Sequence, residues 1–165
     1  MTPVTSSRTA VLTLPTDTQI LVTREFDAPK HLVYKAYTTP ELIDRWWTAK
    51  RGAMKVCEVD LRVGGKWRWV MDADGGFEVG FHGEYREIVP NEKLVHTEVF
   101  EGAPGGDDEG VLQTITLVQE VGRTTLTMLT DAPSKEIRDI IIQSGMEDGL
   151  QDAFDLLEEV AVSLS

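Results

Sequence analysis

Glu87 and His96 lie on either side of "PNE", where "FEVGFHGEYREIV" runs into "KLVHTEVF". A carboxyl group and an imidazole held opposite each other can pass a proton to or from a bound molecule, as a general acid–base pair does. The two runs read as a hairpin. With a loop of Pro90 to Lys93, Val89 pairs with Leu94, Glu87 with His96 and Tyr85 with Glu98. Turned inward, these four polar groups would face a ligand. Turned outward, Glu87 and His96 are a surface pair worth under about 1 kcal/mol. Phe81, Val89, Leu94 and Phe100 share their face and tilt it inward, whereas the other face mixes Ile88, Val95 and Val99 with His82, Glu84 and Arg86.

Aromatic residues give a second signal. Trp67 and Trp69 share one face of "KWRWVM", with Lys66 and Arg68 on the other. In "TPELIDRWW" two tryptophans are adjacent, and neighbouring helical side chains diverge by about 100°, so both cannot meet one flat core. Leu42, Ile43 and Trp46 already make an i, i+3, i+4 set, which leaves Trp47 for the rim of an interior space. As core residues these rings need no further role, because large aromatics dominate core burial. As pocket residues they fit the apolar lining of a small-molecule site, with Met128 and Met146 as adaptable walls. Gly145 and Gly149 are either tolerated flaws in a helix or places where a ligand or strand approaches the backbone.

Other chemistries find no support. His31, His82 and His96 are not at metal-ligand spacing, and one cysteine, Cys57, cannot build a thiolate zinc site. "DADGG" begins like a calcium loop but lacks the later ligands and closing glutamate, so it reads as a turn. Gly64-Gly65 lacks the Lys-Ser/Thr ending of a phosphate loop, and Ser134 and Ser144 lack a nucleophile-elbow context. No metal or cofactor is expected.

Charge narrows the partners. With 16 basic and 28 acidic residues the net charge is −12, a field that repels nucleic-acid backbone and anionic lipid. Neither nucleic acid nor membrane is an expected partner, and no apolar run approaches the roughly 20 residues of a membrane helix. The Thr/Ser-rich start has none of the features of a secretory signal. A lone cysteine excludes an internal disulfide, fits a reducing, cytoplasmic setting, and reads as a half-buried structural thiol.

The elements that would position these groups form one domain over residues 16–165, after a flexible lead over 1–15 in which "VLTL" is a possible short strand. "TQILVTREF" alternates with Ile20, Val22 and Phe26 on one face, as a half-buried strand does. Two short helices follow, one capped by Asp27 with Pro29 in its first turn, the other by Thr39 with Pro40. About six antiparallel strands come next, with "EGAPGGDDEG" as a mobile loop and Val121-Gly122 as a two-residue turn. A long amphipathic helix from about Ser134 to Leu164 closes the chain. The fold class is α+β: a curved antiparallel sheet of six to seven strands wrapped around a C-terminal helix.

Specific strings sharpen this. "TREFDAP", "VYKAYTTPELIDRWW", "VDLRVGGKWRW", "HGEYREIVPNEKLVHTEVF" and "SGMEDGLQDAFDLLEEV" resemble the SRPBCC superfamily, whose START-domain, birch-pollen-allergen and polyketide-cyclase members share the helix-grip fold. Within it the resemblance is to the bacterial branch related to the activator of the heat-shock-protein-ninety ATPase. It runs from about Leu12 onward and implies a deep hydrophobic cavity between sheet and C-terminal helix. Bulkier residues are common in such relatives near Leu150, so this smaller side chain would widen the cavity. Fold likeness licenses a cavity and not a substrate.

The leading expectation is a small hydrophobic or aromatic ligand held by Trp47, Trp67, Trp69, Phe81, Tyr85, His96, Met128, Met146, Leu150 and Phe154. A cavity smaller than about 100 Å³ would sink it, since ligand sites usually span a few hundred. A second is a cyclase- or hydrolase-type enzyme using Glu87 and His96 (or Tyr85) in that cavity, which fails if either member of the pair points to solvent. A third is a stress-related, co-chaperone-like module with a protein partner. Monomer and homodimer both remain open.

Overall fold

The structure, a computed structural model, describes residues 9–101 and 110–165. Its strands are β1 (Val11–Thr13), β2 (Gln19–Phe26), β3 (Gly52–Val59), β4 (Lys66–Ala73), β5 (Phe77–Val89), β6 (Lys93–Glu101), β7 (Val111–Glu120) and β8 (Arg123–Asp131). The helices are α1 (Lys30–Thr38), α2 (Pro40–Ile43), α3 (Lys135–Gln143) and α4 (Met146–Ser163). All eight strands join one antiparallel sheet in the order β1-β2-β8-β7-β6-β5-β4-β3. The α+β, helix-grip expectation holds, with eight strands in place of six to seven.

The additional strand comes from the segment read as a flexible lead. Val11 to Thr13 pair with β2, and Gln151 of α4 clamps Ala10 through both its N–H (2.9 Å) and its carbonyl (2.7 Å). The domain therefore begins before residue 16; residues 1–8, and the loop read from "EGAPGGDDEG" except its ends, lie outside the described residues.

The sheet's concave face is the core. Leu94, Ile115, Met128 and Val22 stand in register across β6, β7, β8 and β2 and are buried. Against them lies α4, burying Ala153, Phe154, Leu157, Val160 and Ala161, with the Phe154 ring edge-on to Phe26 at 5.7 Å. Arg24 breaks the apolar run of β2 because it shares the inner face with Val22 and Phe26. Its side chain is wholly buried, stacks 4.8 Å over the Phe26 ring, and pairs with Asp155 (2.7 Å) and Glu158 (3.5 Å) of α4. Glu158 also accepts the Asp27 N–H at 2.7 Å, so the ion pair ties the end of β2 to the helix.

The helices differ from expectation in two places. α1 starts at Lys30 with Pro29 rather than Asp27 in the cap position, and its Lys30 N–H is taken by the Gln119 side chain at 2.9 Å. The single C-terminal helix is two. Ser144 ends α3 and Gly145, at φ 85°, turns the chain in the left-handed conformation that glycine tolerates. α3 packs Ile141 and Ile142 against the core, and its Arg138 is buried and donates to the Thr16 carbonyl at 3.0 Å, while Ile140 stays exposed. Gly149 is inside α4, where a β-carbon would come 3.3 Å from the Arg51 guanidinium that bonds Asp152.

Candidate functional site

The hairpin that raised the acid–base question has a different register. Its loop is Pro90 to Glu92, so Val89 pairs with Lys93 and Ile88 with Leu94. Arg86 is then an extra residue, a bulge that leaves Tyr85 opposite His96 and Glu87 opposite Val95. Since side-chain direction alternates with period two, one inserted residue sends Glu87 to the outer face. There it is exposed and meets Lys93 at 3.3 Å. His96 is buried inside. The two do not meet, and the enzymatic reading built on them falls.

What meets His96 instead is a polar row across the concave face: Tyr85 (β5), His96 (β6), Gln113 (β7) and Thr130 (β8), in direct register and all buried. Thr130 donates its hydroxyl proton to Gln113 Oε1 at 2.7 Å, and Gln113 Nε2 donates to Glu98 at 3.4 Å. Glu98 shares the inner face of β6 with His96. Loss of solvation for the charged form pushes its carboxyl up to about 7, against which the Gln113 bond works only partly. Burial pulls His96 down to about 4. Its Nδ1 sits 3.1 Å from the Thr97 carbonyl, which takes that N–H and leaves Nε2 with a free lone pair on a neutral ring.

Over this row stand the rings. Trp69 is their hub, with Trp67 at 5.1 Å, Trp47 at 5.7 Å, Trp46 at 6.1 Å and Tyr37 at 6.2 Å between centroids. Trp67 meets the His96 ring at 5.1 Å and Trp47 meets Phe81 at 6.0 Å. Trp46 is buried and donates its indole proton to the Ala36 carbonyl at 2.9 Å; Trp47 is half-buried. Close approach of β5 to the Trp67 ring is possible because residue 83 is glycine: a β-carbon there would lie 2.7 Å from Trp67 Nε1 and overlap the Thr97 carbonyl oxygen.

A void of about 10 Å³ lies among Tyr37, Trp67, Trp69, Tyr85, Leu94, His96 and Glu98. Another of about 10 Å³ lies among Tyr34, Tyr37, Lys93, Leu94, Ile115, Leu117 and Leu126. Each has room for about one water. Neither void is lined by the C-terminal helix, where a deep cavity was expected; both lie against the sheet beneath Tyr34 and Tyr37 of α1. Trp67, Trp69, Tyr85 and His96 come together around it. Trp47 and Phe81 adjoin it through Trp69. Phe154 and Met128 are core, and Met146 and Leu150 are half-buried packing residues that line neither void. Tyr37, Gln113 and Thr130 were not among the sequence candidates, whereas Glu98 was one of the four polar groups read on the hairpin.

Comparison with known proteins fits this architecture. The profile of the family described as "Activator of Hsp90 ATPase homolog 1-like protein" matches residues 27–161. The chain belongs to this family. It is an SRPBCC-type family, and the helix-grip fold recurs in solved structures. A Rhodobacter sphaeroides protein superposes with a TM-score of 0.84 at 26% identity, covering 93% of this chain and 99% of that one. A Chromobacterium violaceum protein gives 0.77 at 26%, covering 88% and 98%. A Mycobacterium smegmatis protein gives 0.81 at 20%, covering 92% and 96%, a likeness of fold alone. No curated protein matches the sequence. Membership fits small-ligand or protein binding, and among the described residues no helix is long and apolar enough to cross a membrane.

Proposed function

We propose that this chain binds a small aromatic or hydrophobic molecule on the concave face of its sheet, in the ring-lined site under α1. One observation carries the reading: four aromatic residues meet two titratable side chains of strongly displaced proton affinity around one interior void. Displaced groups of this kind gathered in an interior recess mark a candidate functional site. At about 10 Å³ the void is far below the roughly 100 Å³ that a ligand site needs, so it counts against any preformed cavity, and a guest would enter only by parting the rings. Trp47, half-buried against Trp69 and Phe81, is the least buried of the four tryptophans and so the ring nearest to solvent. Native mass spectrometry of freshly purified protein, with tryptophan-fluorescence titration against lipids and aromatic metabolites, tests the proposal. A co-purifying small molecule, or saturable fluorescence change with aromatic compounds, is the expected result. Absence of both removes it.

A protein-interaction reading has its own support. On the convex face Leu21, Leu129, Thr114 and Val95 stand in register across β2, β8, β7 and β6 without a charge, beside a row of Thr23, Thr127 and Thr116. In a chain of net charge −12 that is a surface suited to a partner. The rate of a purified Hsp90 ATPase with and without excess chain decides it; an unchanged rate counts it out.

A further inference from the structure

We infer that the interior site receives a neutral aromatic compound through a carbonyl-type oxygen, taken by the indole N–H groups of Trp67 and Trp69. This rests on the binding reading above and narrows its ligand class. Trp67 and Trp69 are only 3% and 8% exposed, yet among the described residues neither indole nitrogen has an acceptor. Buried donors are ordinarily paired, because desolvation without a partner is unfavourable. The contrast lies within the same cluster, where the buried Trp46 has the Ala36 carbonyl as its acceptor. Both residues line one void with their rings 5.1 Å apart, and Trp67 Nε1 lies near Gly83, so an acceptor entering the void would meet two donors without a partner.

The remaining lining decides the charge of the guest. Tyr37 and Tyr85 are phenols held protonated by burial, His96 is a neutral imidazole, and Glu98 contributes a carboxyl group. No Lys or Arg lines this void. A carboxylate guest would leave water and meet no cation, and would face Glu98 whenever that group is ionised. A ketone, aldehyde or amide oxygen accepts the indole protons without that penalty, and its ring enters by parting the Tyr37, Trp67 and Trp69 rings, since the void itself holds about one water.

Three related probes test this: acetophenone, ethylbenzene, which keeps the ring and two-carbon tail without the acceptor oxygen, and benzoate. The readouts are calorimetric affinity and the ¹⁵N-indole resonances of wild-type protein, assigned with W67F and W69F. Acetophenone is expected to bind about tenfold more tightly than ethylbenzene, the contribution of one modest hydrogen bond, and to move the Trp67 and Trp69 N–H signals downfield. Benzoate is expected to bind more weakly than either, and in W67F and W69F the acetophenone preference falls toward one. Ethylbenzene or benzoate binding as tightly as acetophenone overturns the carbonyl assignment and leaves ligand binding standing. If none of the three binds and the indole signals stay in place, both readings fall. The resonance shift needs only wild-type protein, so a variant that does not fold leaves the test intact.

Discussion

His96 and Glu98 stand two residues apart on the inner face of β6, and the same burial moves their proton affinities in opposite directions. Glu98 is raised from 4.5 to about 7, so between those values the folded chain holds a proton that the unfolded chain has lost, and stability falls as pH rises. His96 is lowered from 6.5 to about 4, so there the unfolded chain holds the extra proton, and stability falls as pH drops. From about 4.5 to 6.5 the two slopes oppose each other. Relative to wild type, Glu98→Gln should gain stability as pH rises from 4.5 to 7, and His96→Gln should lose it as pH rises from 4 to 6.5. Urea midpoints across that range read both; slopes of the same sign for the two variants would contradict the placement.

Gly83 is expected to resist even a methyl group. Its absent β-carbon is the space in which Thr97's carbonyl and the Trp67 ring fit, one backbone and the other locked by packing. Gly83→Ala should destabilise by about 3 kcal/mol, the upper range for overpacking. An unchanged thermal midpoint would show that β5 and the ring are not so close.

The Arg24–Glu158 pair predicts a strong asymmetry between single and double changes. Glu158→Leu alone leaves a buried guanidinium with only the outer carboxylate of Asp155, a loss of about 3–5 kcal/mol. Arg24→Met with Glu158→Leu removes both charges and should cost much less. A double-mutant cycle measures the coupling, and additive losses would speak against a buried pair.

At the β7–β8 turn, Val121 (φ 49°) and Gly122 (φ 75°) are both left-handed, the geometry of a tight hairpin. Glycine tolerates this and a β-branched residue does not. Val121 is fully exposed and has no packing to lose. Val121→Asn should therefore stabilise by about 0.5–1 kcal/mol, visible as a higher urea midpoint.

The fold was legible because its signals are periodic. Ile20, Val22 and Phe26 name an inner face by parity, and Pro40 and the Val121-Gly122 step mark element ends. The site was less legible where a polar residue occupied an inward slot. Arg24, Gln113 and Thr130 lie between apolar residues of the right parity, and counting every second position would have placed them inside. The Glu87–His96 pairing failed for a reason no periodicity shows: the extra residue at Arg86 changes neither composition nor alternation on either side. Glu87→Gln should accordingly leave stability within about 0.5 kcal/mol of wild type, as an exposed position does. The break at Gly145 was hidden because the apolar stripe continues in phase from α3 into α4. Closure of the cavity depends on ring packing, which a sequence does not display.

The bulge at Arg86 gives β5 something like a reading frame. Upstream of it Phe81 and Tyr85 face inward; downstream the frame shifts, and Ile88 rather than Glu87 does so. Any one-residue insertion or deletion between Tyr85 and Val89 would be a frameshift in space. It would exchange the inside and outside of one half of the strand while leaving its composition almost unchanged. Among relatives of similar sequence, the length of this short segment therefore says more about which carboxylate lines the interior than the identity of any residue in it.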